Sequence, residues 1–156
     1  MKYKGLVLAF LLCIGVSCTK EESADPQYTV NENAVQVEAA LLDVVNSHRV
    51  ALGFNAMDFS PVAYEYANAH NDYMIATGNL NHDNFSARAS NIAAEANAEY
   101  VSENVAKDYP SAEAAFQGWL ESPNHRKTME GDFTHTAVSV KQDSQGNYYY
   151  TQLFYR

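Results

Sequence analysis

Apolar residues recur at helical spacing from Val35 onward, with Val37, Leu41, Val44, Val45, His48 and Leu52 falling on one face. That spacing predicts a first helix over Val35 to Leu52, stopped by Gly53. A second helix starts after Ser60, which serves as its cap, with Pro61 at the first helical position and Gly78 beyond its end. Its inward stripe is Ala63, Tyr66, Ala67, His70 and Met74. The alanine-rich stretch from Phe85 to Ala98 shows little contrast between faces and reads as partly helical. Tyr100 to Val105 then reads as a short strand or extended arm. Ser111 caps a further helix with Glu113 in its first turn, where a negative charge suits the dipole. Ala112, Ala115, Phe116 and Trp119 share the inward face of that helix, and Pro123 either ends it or restarts another. The final stretch alternates as a hairpin: Thr136 to Lys141, a turn around Ser144 to Asn147, then Tyr148 to Tyr155. Helices on both sides of a small antiparallel sheet, an α+β arrangement, would bury all of these faces.

The first 33 residues follow a different pattern. Lys2 and Lys4 precede an unbroken apolar run from Gly5 to Val16, which ends at Ser17-Cys18. A basic start, a short apolar stretch and a small residue before a cut describe a secretory signal over residues 1–17. The run is shorter than the about 20 residues a spanning helix needs. Ile14-Gly15-Val16-Ser17-Cys18 also resembles a bacterial lipobox, in which Cys18 would become the lipidated first residue. Residues 18–33 are polar, acidic and contain Pro26, which fits a tether between lipid and domain. Thr19-Lys20-Glu21-Glu22 is similar to the acidic tags that direct some Bacteroidetes lipoproteins to the outer face, although a solvated charge run has the same appearance. An outer-membrane lipoprotein, extracytoplasmic and open to surface display, is the localisation expected, with the lipid as its only membrane contact.

Cysteine count and charge narrow the field further. Cys13 would leave with the signal and Cys18 would carry lipid, so residues 34–156 hold no cysteine. Disulfides, thiolate metal sites and cysteine nucleophiles are excluded from the folded domain, which must rely on its core. The 156-residue chain has a formal net charge of −9, and loss of the signal removes two lysines and no acid. Such acidity argues against nucleic acid or anionic lipid as a partner.

Three short motifs carry the candidate chemistry: Asn81-His82, Ser102-Glu103-Asn104-Val105-Ala106, and Trp119 through Ser122-Pro123-Asn124-His125-Arg126. Two imidazoles and a carboxylate from separate stretches suit a metal or acid/base site. His82 and His125 as neutral ligands would hold zinc with positions left for water or substrate. Glu103 is open to several roles: third ligand, partner fixing a histidine tautomer, general base, or structural carboxylate. His48 and His70 lie on apolar helix faces, where a hydrogen-bonded core histidine is expected. His135 begins a strand and is a candidate border of the same cleft. Neither a Gly-x-Ser-x-Gly elbow nor a His-Glu-x-x-His helix is present. Ser102 and Glu103 are strand neighbours and so point to opposite faces, which makes a poor dyad.

In order and content these motifs resemble the CAP superfamily (cysteine-rich secretory, antigen 5 and pathogenesis-related proteins) in its bacterial, SCP-like form. The resemblance runs from Leu41-Leu42-Asp43-Val44-Val45-Asn46-Ser47-His48-Arg49 through the three motifs above. It continues to Phe133-Thr134-His135-Thr136-Ala137-Val138 and Thr151-Gln152-Leu153-Phe154. It implies an α-β-α sandwich over residues 34–156 and a shallow cleft with two histidines and two acids. Carried over by motif, the histidines are His82 and His125 and the first acid is Glu103, with Ser102 in place of the motif's glycine. The second acid position falls on Ser122, and Glu121 sits one residue earlier, about 100° round a helix. A reduced site of His82, Glu103 and His125 is therefore expected, with Glu121 and His135 at its margin. The expected function is a monomeric, lipid-anchored domain that binds a small molecule, lipid, glycan or protein surface without catalysis. The alternative is a zinc-dependent hydrolase using His82 and His125, with Glu103 as base.

Overall fold

The computed structural model describes residues 31–156. The signal segment, Cys18 and most of the tether lie outside the described residues. Five helices and four strands follow in the order α1 (Val35–Ala51), β1 (Asp58–Phe59), α2 (Pro61–Thr77), α3 (Phe85–Ala96), β2 (Val101–Lys107), α4 (Ala112–Glu121), α5 (Pro123–Met129), β3 (His135–Gln142) and β4 (Tyr148–Tyr155). The sheet order is β1-β3-β4-β2. β3 and β4 form the expected hairpin, and β2 pairs antiparallel with the far side of β4. The sheet is mixed rather than purely antiparallel, because β1 adds a parallel pair to β3. Two residues are too short to show any periodicity, so β1 leaves no signal in the sequence.

Alternation along the strands divides the core in two. Ala106, Val138, Val140, Tyr150 and Phe154 turn to one face and pack with Leu41 and Val45 of α1 and Phe116 and Trp119 of α4. Ala137, Leu153 and Tyr155 turn to the other face and meet Ala63 and Ala67 of α2 and Ile92 of α3. The α-β-α sandwich is therefore present. Ser60 and Ser111 cap α2 and α4 through their hydroxyls, and Gly78 ends α2 at φ 70°. Pro123 starts α5 rather than only ending α4.

Two sequence expectations change. Leu52 is 52% exposed, because α1 ends at Ala51 and the chain turns away before that side chain can reach the core. Asn31 and Asn33 belong to the domain rather than to a free tether. The Asn31 backbone N–H donates to Asp72 Oδ1 at 3.1 Å, and Asn33 bridges to Lys141 on the sheet.

Arg49 positions the functional end of the molecule. It is fully buried, and its guanidinium donates to the carbonyls of Met129 (2.6 Å), Gly131 (2.8 Å) and Asn55 (3.0 Å). Buried charge is tolerated there because its donors meet backbone carbonyl oxygens, two of them at and just beyond the end of α5.

Candidate functional site

Strand β2 brings Glu103 to the α2/α3 face of the sheet and sends its neighbours Ser102 and Asn104 to the opposite face, as strand alternation requires. The Glu103 carboxylate is buried, and Arg88 of α3 grips it with both edges of its guanidinium. Arg88 Nε donates to Oε2 at 3.0 Å, and Nη2 donates to Oε1 at 2.9 Å and to Oε2 at 2.8 Å. The remaining Nη1 donates to the carbonyl of Asp83 at 2.6 Å, which ties the loop after α2 to the same residue. That loop carries His82, whose Nδ1 donates to Glu103 Oε1 at 2.8 Å. Burial would push the Glu103 carboxyl up, but the His82 hydrogen bond and the charge of Arg88 outweigh it and hold the carboxyl below its ordinary value.

This geometry selects among the roles open to Glu103. Its lone pairs are taken by Arg88 and His82, which leaves no free oxygen for a ligand or a substrate proton. What it does is fix His82, since a carboxylate at Nδ1 places the proton there and leaves Nε2 for any outside partner. His82 itself is exposed.

His70 lies behind this pair. Its Nε2 donates to the carbonyl of Asn81 at 2.9 Å and stands 3.8 Å from Glu103 Oε1. Burial holds the His70 ring below its ordinary basicity, so it is a neutral, hydrogen-bonded core histidine that shapes the Asn81-His82 loop. His48 is also hydrogen-bonded, to Glu130 at 3.0 Å.

His125 comes from the opposite side of β2, on α5. Asn104 Nδ2 donates to its carbonyl at 3.1 Å, and Trp119 Nε1 donates to the Val105 carbonyl at 3.2 Å, so β2 holds both ends of the α4–α5 corner. His125 borders a cleft of about 280 Å³ whose wall includes Leu80, Lys107, Tyr109 and Ser122, over Val105 and Trp119. Burial and then the nearby charge of His82 lower its basicity, which keeps the ring neutral at pH 7. Larger recesses, about 400 Å³ beside Tyr100 and Arg156 and about 530 Å³ beside the β3–β4 turn, are lined by neither histidine.

The structure thus brings His82 and Glu103 into contact and sets His125 near His82. Glu121 is exposed at the end of α4, while Ser122 lines the cleft. His135 stacks on Tyr155 at 4.8 Å, two strands from Glu103, because β4 lies between β3 and β2. Arg88 and Asn104 were not singled out as site residues from the sequence. A signal for Arg88 existed: it lies one turn from Ile92 on a helical face, and these are the two buried residues of α3.

Among the described residues no group of three or more histidines, cysteines or acids converges to hold a metal ion. His82 Nε2 and His125 supply two imidazoles, one fewer protein ligand than the catalytic zinc sites built from three. As a donor set, two imidazoles fall short of such a three-ligand centre.

The profile of the cysteine-rich secretory protein family (CAP) matches residues 42–154. An uncharacterized membrane protein of Bacillus subtilis (strain 168) is 30% identical over 123 residues, which cover 75% of this chain and 34% of that protein. The chain therefore spans about a third of that relative's length. Among solved structures, an outer surface protein from Borrelia burgdorferi superposes with a TM-score of 0.73 at 14% identity, over 81% of this chain and 98% of that one. An extracellular protein containing an SCP domain from Bacillus anthracis str. Ames gives 0.68 at 24% identity, over 78% and 41%. A cysteine-rich secretory protein from Staphylococcus aureus subsp. aureus Mu50 gives 0.63 at 19% identity, over 81% and 40%.

Proposed function

The chain belongs to the cysteine-rich secretory protein (CAP) family, and on that premise we propose that it is a lipid-anchored, extracytoplasmic binding domain whose cleft captures a ligand or partner surface without chemical turnover. The observation that carries this reading is the occupation of Glu103. A general base needs a free lone pair within reach of the proton it takes, and both Glu103 oxygens are already committed to Arg88 and His82. Residues 34–156 contain no cysteine, so a thiolate nucleophile is excluded as well.

What remains is a recognition surface. His125 and Ser122 offer hydrogen bonds, and Leu80 and Tyr109 offer apolar contact. Candidate ligands are a small molecule, a lipid headgroup, a glycan or a protein surface. The secretory signal, lipobox and acidic tag would hold this surface outside the cytoplasm, on the outer membrane and open to display. Among the described residues no helix is long and apolar enough to cross a membrane.

Calorimetric titration of zinc into the intact chain, beside a His82→Ala/His125→Ala variant, separates this reading from the metallohydrolase. No saturable zinc binding, or binding that the variant retains, is the expected result. Micromolar or tighter binding lost in the variant, together with turnover of a peptide or glycan that disappears in His82→Ala, would overturn it.

A further inference from the structure

Two buried amides oppose each other beneath α5. Asn104 of β2 and Gln152 of β4 are direct cross-strand partners in the antiparallel ladder, so their side chains share a face and their Cβ atoms stand about 5 Å apart. Both residues are almost completely buried, at 1% and 0% exposure. Their face of the sheet is the one that packs on α1, α4 and α5, among Ala106, Val138, Met129 and Trp119.

The orientation of each amide is forced. Asn104 gives its Nδ2 to the carbonyl of His125, an acceptor that cannot be satisfied by the amide oxygen. Gln152 gives its Nε2 to Thr136 Oγ1 at 3.0 Å, and the Thr136 hydroxyl hydrogen is already donated to the Leu153 carbonyl at 2.7 Å. Thr136 can therefore only accept from Gln152. In consequence Asn104 Oδ1 and Gln152 Oε1, the two acceptors left over, lie on the same face with no hydrogen-bond partner among the described residues.

We propose that Asn104 Oδ1 and Gln152 Oε1 form an internal binding site for one water molecule, which donates a hydrogen to each and so positions His125 through Asn104. Water matches the chemistry of the site. Two unpartnered acceptors on neighbouring strands of one face ask for a small neutral donor with two hydrogens, whereas a hard cation needs six or more oxygens. An orphaned acceptor in an apolar core is costly, and a bridging water removes that cost at both residues. Ser102, two residues before Asn104 and so on the same face, lines the cavity of about 400 Å³ beside Asn124. With its oxygen held, Asn104 keeps Nδ2 on the His125 carbonyl. Asn104 and Gln152 are positioning residues. The water sits there whatever the cleft binds.

The first test is a high-resolution crystal structure of the intact chain. A solvent peak within about 3 Å of both oxygens is expected. An empty site, or amides turned to pair with protein atoms, overturns the proposal without any variant. The second test uses Gln152→Leu, which removes one acceptor. Expected are loss of the solvent peak, about 10-fold faster amide exchange in α5, and a shift in the His125 ring titration, with exchange in α1 and α2 unchanged. Loss of the peak with α5 and His125 unaltered would overturn the positioning role.

Discussion

Arg88 and Glu103 form a two-edged guanidinium–carboxylate contact, with Nε 3.0 Å from one oxygen and Nη2 2.9 Å from the other, inside the layer between α3 and β2. The pair does not itself face the cleft. It fixes the carboxylate that fixes His82. Removal of the arginine strands a buried charge, which typically costs about 3–5 kcal/mol. Arg88→Leu is therefore expected to lower the urea midpoint strongly. Arg88→Leu/Glu103→Leu should recover much of the loss, because no unpaired charge remains. Equal destabilisation in the single and double variants would show that the cost is packing alone.

Acid should weaken the fold in two stages. The folded His70 ring is less basic than in the unfolded chain, so below its ordinary value of 6.5 the unfolded state takes up more protons and stability falls with pH. His125 acts in the same direction. The folded Glu103 carboxyl is more acidic than in the unfolded chain, so its contribution is complete above its ordinary value of 4.5 and is lost as pH falls through the lower folded value. Urea midpoints measured from pH 8 to pH 3 should decline in both windows. Glu103→Gln should flatten the lower one, and His70→Gln should reduce the upper one.

Gly118 sits inside α4 for a steric reason. A Cβ there would overlap the hydroxyl and ring of Tyr109, which lies across the helix and forms part of the cleft wall. Gly118→Ala should destabilise the wild-type protein and displace Tyr109, since forced overpacking costs about 1–3 kcal/mol and exceeds the gain in helix propensity. In a Tyr109→Ala background the same substitution should become stabilising by up to about 1 kcal/mol. Thermal melts of the four proteins in that cycle decide it, and an unchanged sign would refute the steric reading.

Lys141 is 1% exposed, and its Nζ stands 2.6 Å from Asp72 Oδ2. Asp72 also accepts from the backbone and side chain of Asn31, so it joins the start of the domain to the sheet. Asp72→Ala should cost about 3–5 kcal/mol, and Asp72→Leu/Lys141→Met should restore most of it. Hydrogen exchange should report early opening around Asn31 to Ala34 in the single variant and not in the wild type.

The sequence by itself determined the local architecture. Ser60, Pro61 and Gly78 delimit α2 because caps and breakers act within a few residues of the bonds they satisfy or refuse. Apolar spacing identified the inward faces of α1, α2 and α4, and alternation identified the closing hairpin. The separate motifs placed His82, Glu103 and His125 as one group, and the structure joins His82 to Glu103 across 21 residues. Tertiary structure alone decided which partner each buried face would meet. Arg88, Arg49 and Lys141 are buried, and strand order and helix placement bring Glu103, the α5 carbonyls and Asp72 to meet them. Short β1 is the same case, since two residues acquire a sheet role only when β3 supplies the adjacent edge. The role of Glu103 was settled in this way too. Its chemistry was legible as a carboxylate beside a histidine, and only the packing of α3 against β2 committed both oxygens and set it behind His82 as a support.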